Sequence, residues 1–274
     1  MPDVTARHLA EGSRNVIRIA SRPRRTGAGF ASRAQCWVYL PGVHRKLVLF
    51  DIDGTLLHTH GAGRRAIHAA LFNEMGAEAT ASRVRFDGKT DPQIVRELLA
   101  EAAHDDRDDD ERIAAVCRQY VDLLAVELEA GTCQTTVYPG VVDLLNRIEA
   151  RRDTVLGLLT GNVAEGARLK LGSAGIVPDR FRVGAYGSDH HERSRLPAIA
   201  AARAEGLMGR IPTGPDIVIL GDTPADMTCG LEVGARGIGV ATGSYDTAAL
   251  LAAGAYAAFE SFAELEPVIA AIYA

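Results

Sequence analysis

The sequence predicts an α/β fold, a Rossmann-like parallel sheet with helices on both faces and an inserted α-helical domain. From Leu47 onward, short apolar runs of strand length alternate with helical stretches, and strands separated by helices are typical of a parallel sheet covered on both faces. About a hundred mostly helical residues separate the first strand from the next apolar run of that kind. A single crossover needs far fewer, so the excess predicts the inserted domain.

Composition limits the function classes before any motif is considered. The chain has 274 residues, 47% of them apolar and 24% charged, which is typical of one large globular domain or two modest ones. No apolar stretch approaches the roughly 20 residues that span a bilayer, and the net charge of −5 exerts no general attraction for nucleic acid. We therefore expect neither membrane nor nucleic-acid partners, and a monomer or homodimer.

Cysteine usage indicates the compartment. The four cysteines have no CxxC or other metal-ligand spacing: Cys36, Cys117, Cys133 and Cys229. They are interpreted as free thiols in a reducing compartment, which predicts a cytoplasmic location.

Residues 1–45 differ from the rest of the chain. They carry eight arginines against two acids and show no sustained period. We expect a disordered or artefactual N-terminal extension. An Arg-rich targeting peptide is an alternative, and so is upstream sequence translated from a misplaced start, since the domain could begin near Val43.

The predicted elements follow in order. The run 47–50 is the first strand, and residues 61–136 form the inserted helical domain. Within it we expect a helix over 64–75, a helix opening with Asp91 as N-cap and Pro92 as first helical residue, and a third from the acidic run 105–111 to about 130. The α/β core comprises 46–60 and 137–274. Its further strands are predicted at 154–159, 181–185, 216–220, 237–241 and 255–259, and its helices at 141–150, 163–174, 194–205, 225–233 and 261–273.

Acidic pairs follow two of the predicted strands. Asp51 and Asp53 end the first strand, ahead of Gly54-Thr55. Ligands of parallel sheets bind beyond the carboxyl ends of the strands. Two acids there repel each other unless a cation or a proton offsets the charge. The pair therefore indicates a hard metal ion, a nucleophile or an acid/base pair, although Asp-Gly is also a common turn signal.

The second pair makes the turn interpretation hard to sustain. Gly221-Asp222 follows strand 216–220, and Asp226 lies four residues further on, where both acids could face one way as a helix begins. Strand 154–159 ends in Thr160-Gly161-Asn162, which adds a hydroxyl and backbone N–H groups at an equivalent position.

These motifs, in this order, resemble the four motifs of the haloacid dehalogenase (HAD) superfamily: Asp51-Ile52-Asp53-Gly54-Thr55, Thr160, a basic residue, and Gly221-Asp222 with Asp226. In detail the chain is similar to the phosphoglycolate-phosphatase-like subgroup, which carries a helical cap inserted after the first strand. The resemblance extends from Leu47 to the C-terminus.

The resemblance implies a phosphatase that hydrolyses a small-molecule phosphomonoester through an aspartyl-phosphate intermediate. Asp51 would be the nucleophile and Asp53 the general acid and then base. Thr160, with Gly161 and Asn162, would bind phosphate. Mg²⁺ would be bound by Asp51, the backbone carbonyl of Asp53, and Asp222, and Asp226 would orient waters or the basic residue beside the ion.

Two positions depart from or extend this pattern. The family usually supplies a lysine in a Lys-Pro context, but the window 187–197 contains Arg193 and Arg195 and no lysine. Arg193 is preferred because it precedes a helix, with Arg195 as the alternative. In the cap, Lys89 and Thr90 lie in a turn at 87–91 that could meet the substrate. An ordinary loop with a solvated lysine explains that turn equally well.

Other functions compete with this interpretation. A phosphomutase of the β-phosphoglucomutase type would share all the core residues. A haloacid dehalogenase would have no need of Asp53, and a phosphonate hydrolase would use a cap lysine such as Lys89. A non-catalytic HAD-fold binding module should have lost an acid, and all four are present.

Overall fold

The computed structural model describes residues 46–76, 83–130 and 134–274, so the predicted extension 1–45 lies outside the described residues. The strands are β1 Lys46–Phe50, β2 Leu57–His58, β3 Thr136–Val137, β4 Thr154–Leu159, β5 Val183–Ala185, β6 Ile217–Gly221, β7 Arg236–Val240 and β8 Ala257–Phe259. The helices are α1 Ala62–Met75, α2 Asp91–Glu101, α3 Asp110–Glu129, α4 Val141–Glu149, α5 Ala164–Ser173, α6 Leu196–Met208, α7 Pro224–Cys229, α8 Thr247–Ala252 and α9 Leu265–Tyr273.

Six strands form one parallel sheet in the order β5-β4-β1-β6-β7-β8. Strand β1 is central because it pairs with β4 on one side and β6 on the other. Val48 and Phe50 pack into the core on one face, and Leu47 and Leu49 pack into the core on the other. This alternation explains the continuous apolar run, since a strand covered on both faces has no polar side. The predicted α/β fold is confirmed.

Helices α1, α2 and α3 bury an apolar core of their own. Its members include Ile67, Val95, Leu99, Tyr120 and Leu124, and all are at most 2% exposed. The three helices predicted between residues 61 and 136 therefore form. Their assignment to a separate cap domain stays a prediction.

A two-stranded antiparallel ladder lies where the chain leaves the α/β core and returns to it. Strand β2 pairs with β3, with Leu57 opposite Val137 and His58 opposite Thr136. These two-residue strands are too short to leave a periodic signal in the sequence. The ladder holds the two connecting segments side by side.

The start of α2 differs from the prediction by one residue. Thr90, not Asp91, is the N-cap, and its hydroxyl accepts a hydrogen bond from the Gln93 amide at 3.2 Å. The Asp91 carboxylate instead accepts from the Val163 amide at 2.8 Å, at the start of α5. Asp91 thus does not cap its own helix. It connects helices α1, α2 and α3, together called the helical unit, to the α/β core.

The acidic run also folds differently from the prediction. Residues Asp105–Asp108 form one 3₁₀ turn, and α3 begins only at Asp110. Asp109 is its N-cap, since the carboxylate accepts from the amides of Glu111 and Arg112. An Asp cap satisfies amides that have no partner within the helix, which sets the helix start inside the run.

No helix in the described ranges has the length and apolar character needed to cross a membrane.

Candidate active site

The carboxyl ends of β1 and β6 bring the acidic residues together. The carboxylates of Asp51, Asp222 and Asp226 each offer an oxygen, and these atoms all lie within 4.8 Å of one another. All three residues are buried. The Asp51 amide donates to the Leu220 carbonyl at 3.0 Å, so the pairing of the two strands fixes where the first acid projects.

Asp222 occupies a space that two glycines leave open. Its carboxylate accepts a hydrogen bond from the Thr55 hydroxyl at 3.0 Å. A Cβ at Gly54 would lie 2.2 Å from the Asp222 carboxylate, and one at Gly243 would lie 1.8 Å from it. Gly54 also has a positive φ of 81°, which side chains disfavour. Glycine is therefore needed at position 54 for two reasons: the turn has a positive φ there, and a side chain would collide with Asp222.

Asp226 is held by its own helix and by a guanidinium. One carboxylate oxygen accepts from the amide and hydroxyl of Thr223, at 3.0 and 2.6 Å, in a capping box at the start of α7. The other oxygen accepts from Arg193 at 2.5 Å. Both oxygens of Asp226 therefore have partners among the described residues, and one of those partners is Arg193.

Arg193 lies against the first acid. Its Nη2 is 3.2 Å from Asp51 Oδ1, and its side chain is 7% exposed. Burial opposes its charge, but Asp226 and Asp51 outweigh that effect and raise the pKa of Arg193.

Arg195 points elsewhere, and its side chain is 56% exposed. It pairs with Glu192 and Glu232 at 3.4 and 3.7 Å. The geometry thus favours Arg193, which the sequence analysis preferred, over the alternative Arg195.

The end of β4 contributes a polar network. Thr160 is fully buried, and its hydroxyl oxygen accepts from the Asn162 side-chain amide at 2.8 Å. The same amide nitrogen lies 2.8 Å from Asp53 Oδ2, to which it donates. Gly161 packs so tightly against the predicted cap turn that a Cβ there would lie 2.0 Å from the Lys89 carbonyl oxygen. These residues link the strand end to Asp53 and to the turn.

Sequence reasoning missed Lys170, on α5. Its side chain is 6% exposed, and its Nζ lies 2.7 Å from Asp53 Oδ2 and 2.6 Å from Asn162 Oδ1. A signal was available. Lys170 shares a helix face with the buried residues Ala167 and Leu171, and a lysine at an inward position needs a buried partner.

The two residues proposed from the cap turn behave differently. Lys89 lines the cavity above the acidic cluster and forms an ion pair with Glu97. Thr90 lies outside the cavity lining. Its hydroxyl donates to the His191 carbonyl at 2.7 Å, and the residue is fully buried. Substrate contact by either residue stays a prediction.

A cavity of about 480 Å³ lies above the acids. Asp51, Asp53, Thr160, Lys170 and Arg193 line it from the core. The helical unit supplies the facing wall, which includes Arg64, Phe86, Lys89 and Tyr120. The Arg64 guanidinium stacks on the Phe86 ring, 3.9 Å from its centroid.

The acidic cluster carries more negative charge than its protein neighbours offset. Burial raises the pKa of Asp51 to about 6, against the opposing effect of Arg193 and with further raising by Asp226 and Asp53. Burial, with Asp226 and Asp51, raises the pKa of Asp222 well above its usual range. Buried carboxylate oxygens in excess of their cations are the donor set that a hard divalent cation prefers. The residues present therefore fit such an ion.

The fold and this cluster define a known class of enzyme. The model of the haloacid dehalogenase-like hydrolase family matches residues 45–234. The chain belongs to this family.

Similar proteins refine the class. The chain is 27% identical over 190 residues to a phosphoglycolate phosphatase of Cereibacter sphaeroides, across 69% of this chain and 82% of that one. It is 29% identical over 225 residues to a phosphoglycolate phosphatase of Rhodospirillum rubrum, across 80% and 89%. The predicted subgroup and the predicted enzyme class, a phosphatase, are confirmed.

A solved structure shares the fold. CbbY from Rhodobacter sphaeroides, crystallised with phosphate, matches with a TM-score of 0.62 and 21% identity, over 81% of this chain and 96% of that one.

Proposed function

We propose that this protein is a Mg²⁺-dependent phosphatase that hydrolyses a small-molecule phosphomonoester through an aspartyl-phosphate on Asp51. One observation carries the proposal above all. The Asp51 carboxylate lies at the floor of the cavity, between a guanidinium 3.2 Å away and two further buried acids. A nucleophile beside a buried cation is the arrangement that phosphoryl transfer requires.

In the first step, Asp51 attacks phosphorus and the bond from phosphorus to the ester oxygen breaks. Asp53 gives its proton to the departing alcohol. Arg193 and the Thr160 hydroxyl face the phosphoryl oxygens, where negative charge develops. Asp226 keeps the guanidinium in place through the 2.5 Å contact.

In the second step, water attacks the phosphorus of the aspartyl-phosphate. Asp53, now ionised, takes a proton from that water, and phosphate leaves with Asp51 restored. Asn162 and Lys170 both contact Asp53 Oδ2, so they orient this carboxylate between the two steps.

Asp51, Asp222 and the backbone carbonyl of Asp53 would hold Mg²⁺, which supplies positive charge against the carboxylates and the phosphate when bound. We further propose that Asp226 acts from behind these ligands, through Arg193, because both of its oxygens are already bonded.

We propose a small hydroxy-acid or sugar phosphate as substrate. A cavity of about 480 Å³ lies within the ordinary range for small-molecule sites, and the similar phosphatases are named for phosphoglycolate. The helices α1, α2 and α3 would act as a cap that encloses this substrate. Lys89 would face it, and Thr90 would hold the cap turn to the core.

A phosphatase screen with and without Mg²⁺ tests the proposal. We expect phosphate release from at least one small monophosphate in a panel of hydroxy-acid, sugar and nucleotide phosphates. EDTA should abolish it, and excess Mg²⁺ should restore it. The reaction should proceed without an added sugar acceptor, which a mutase would need.

Release of phosphate that survives chelation would contradict the metal requirement. The proposed activity would be contradicted if no member of the panel released phosphate.

A further inference from the structure

A buried hydroxyl on the cavity wall has no partner within the described part of the chain. Tyr120, on α3, is 1% exposed, and its Oη makes no hydrogen bond to any described residue. The residue lines the cavity above Asp51 and Asp53. Leaving a buried polar group unpaired is costly, so this hydroxyl indicates an acceptor that the described residues do not supply.

Lys170 presents a second unused donor to the same cavity. An ammonium group has three N–H donors. Two of them reach Asp53 Oδ2 and Asn162 Oδ1, at 2.7 and 2.6 Å. The described residues provide no acceptor for the third, and Lys170 lines the cavity as Tyr120 does.

Gly63, on α1, leaves space between the two donors. A Cβ at Gly63 would lie 3.3 Å from Lys170 Nζ and 3.7 Å from Tyr120 Oη. The two donors therefore flank one place that no side chain of residues 46–76, 83–130 or 134–274 fills. Burial, with the charges of Asp91 and Asp53, raises the pKa of Tyr120 well above its usual value, so its hydroxyl keeps its proton.

We propose that Tyr120 and Lys170 form a specificity subsite. It would bind a carboxylate oxygen, as hydrogen-bond acceptor, on the alcohol part of the substrate. This inference rests on the proposed phosphatase function. The ammonium group lies 2.7 Å from Asp53, which would itself contact the leaving oxygen. When the leaving oxygen contacts the same carboxylate oxygen, Oδ2, one further hydrogen bond places it within roughly 6 Å of the Lys170 ammonium group. An acceptor on the carbon next to the ester carbon spans that distance, as in a phosphorylated 2-hydroxy acid.

The charges around the subsite set what it can accept. Asp91 also lines the cavity, and burial raises the pKa of its carboxyl to about 6, against the opposing effect of Lys170. The positive charge of Lys170 therefore offsets the repulsion that Asp53 and Asp91 would exert on an anionic acceptor. A neutral acyl oxygen would accept hydrogen bonds from the same two donors, but it would not need the positive charge of Lys170.

The test compares Tyr120→Phe with the wild type on three probes. These are 2-phosphoglycolate, its neutral amide, and ethyl phosphate, which lacks the acceptor. We expect the kcat/KM ratio of phosphoglycolate to ethyl phosphate to fall roughly tenfold, as for the loss of one hydrogen bond to a charged group. The loss should appear mainly in KM. An equal loss for the neutral amide would contradict the preference for a carboxylate.

Stability measurements separate binding from structure. The midpoint of thermal unfolding should not fall in Tyr120→Phe, because its hydroxyl bonds none of the residues that the structure describes. Tyr273→Phe is the matched control, since its half-buried hydroxyl bonds Thr154 Oγ1 at 2.9 Å, outside the cavity lining. That control should lose stability and keep the substrate ratio.

Gly63→Ala provides a second variant. Alanine is the better helix former, and its methyl group would enter the space between the two donors. We expect the same loss of preference for phosphoglycolate.

An unchanged ratio in both variants, with an active wild type, would overturn the subsite and leave the phosphatase intact. A wild type that hydrolyses none of the probes, or any other small phosphomonoester, would overturn the proposed function itself.

Discussion

Replacing Asp51 with asparagine is expected to lower phosphate release by more than about a thousandfold at saturating Mg²⁺, because an amide cannot serve as the nucleophile. The measurement is initial-rate phosphate release with the best substrate of the screen. Asp179→Asn, at a carboxylate that is 86% exposed, is the matched control and should retain wild-type rates.

The Asp51→Asn fold should survive, and the pKa of the wild-type acid gives the reason. Burial raises that pKa from 3.8 to about 6, so the folded state binds this proton more tightly than the unfolded state does. The resulting stability is complete below the unfolded pKa and is lost as the pH rises through about 6. At pH 7.5 asparagine removes that penalty.

Thermal unfolding in EDTA at pH 7.5 should therefore show an Asp51→Asn midpoint no lower than that of the wild type. Wild-type phosphate release by this variant would refute the nucleophile assignment. A lost fold would leave the loss of activity without mechanistic meaning.

Replacing Arg193 with alanine is expected to lower kcat by roughly a hundredfold or more, the usual cost of removing one preorganised charge contact. Arg193→Lys should recover part of that loss, since the charge returns without the guanidinium fork. Arg195→Ala is the matched control two residues away. Its side chain is exposed, and we expect close to wild-type kcat.

Stability must be followed in the same variants. Arg193→Ala leaves Asp51 and Asp226 buried without their guanidinium, which costs about 3–5 kcal/mol when one partner of a buried pair is removed. Rates should therefore be taken well below the unfolding midpoint of each variant. A crippled Arg195→Ala beside a near-normal Arg193→Ala would reverse the assignment. If neither substitution lowers kcat, Lys89 becomes the first candidate for the missing cation.

The strand-tip residues were predictable because parallel topology leaves little freedom. Once 47–50, 154–159 and 216–220 are assigned as neighbouring strands, the residues that follow them must meet at one edge of the sheet. Asp51, Thr160 and Asp222 follow from that rule alone. The choice between Arg193 and Arg195 does not, because it depends on which side chain turns inward across a 3₁₀ turn.

The contacts between the helical unit and the core were harder to predict from the sequence. Lys170 acts across a long sequence separation, and its buried position shows only once α5 is placed against Asp53. The β2–β3 ladder has two residues per strand, too few for periodicity to detect. Thr90 and Asp91 compete for one capping role, and the contact from Asp91 to Val163 decides between them.

The phosphorylated intermediate is the central claim, and rapid acid quench followed by peptide mass spectrometry tests it most directly. Asp53→Asn should slow hydrolysis of the intermediate by removing the base, so this variant is mixed with an activated aryl phosphate, whose departure needs little acid. We predict that the peptide containing Asp51 gains the mass of one phosphoryl group, and that hydroxylamine removes it. The same treatment of an Asp51→Asn, Asp53→Asn double variant should leave the peptide unmodified. Phosphorylation at any other residue would contradict the account. So would phosphate release at the wild-type rate with no phosphorylated peptide at any quench time.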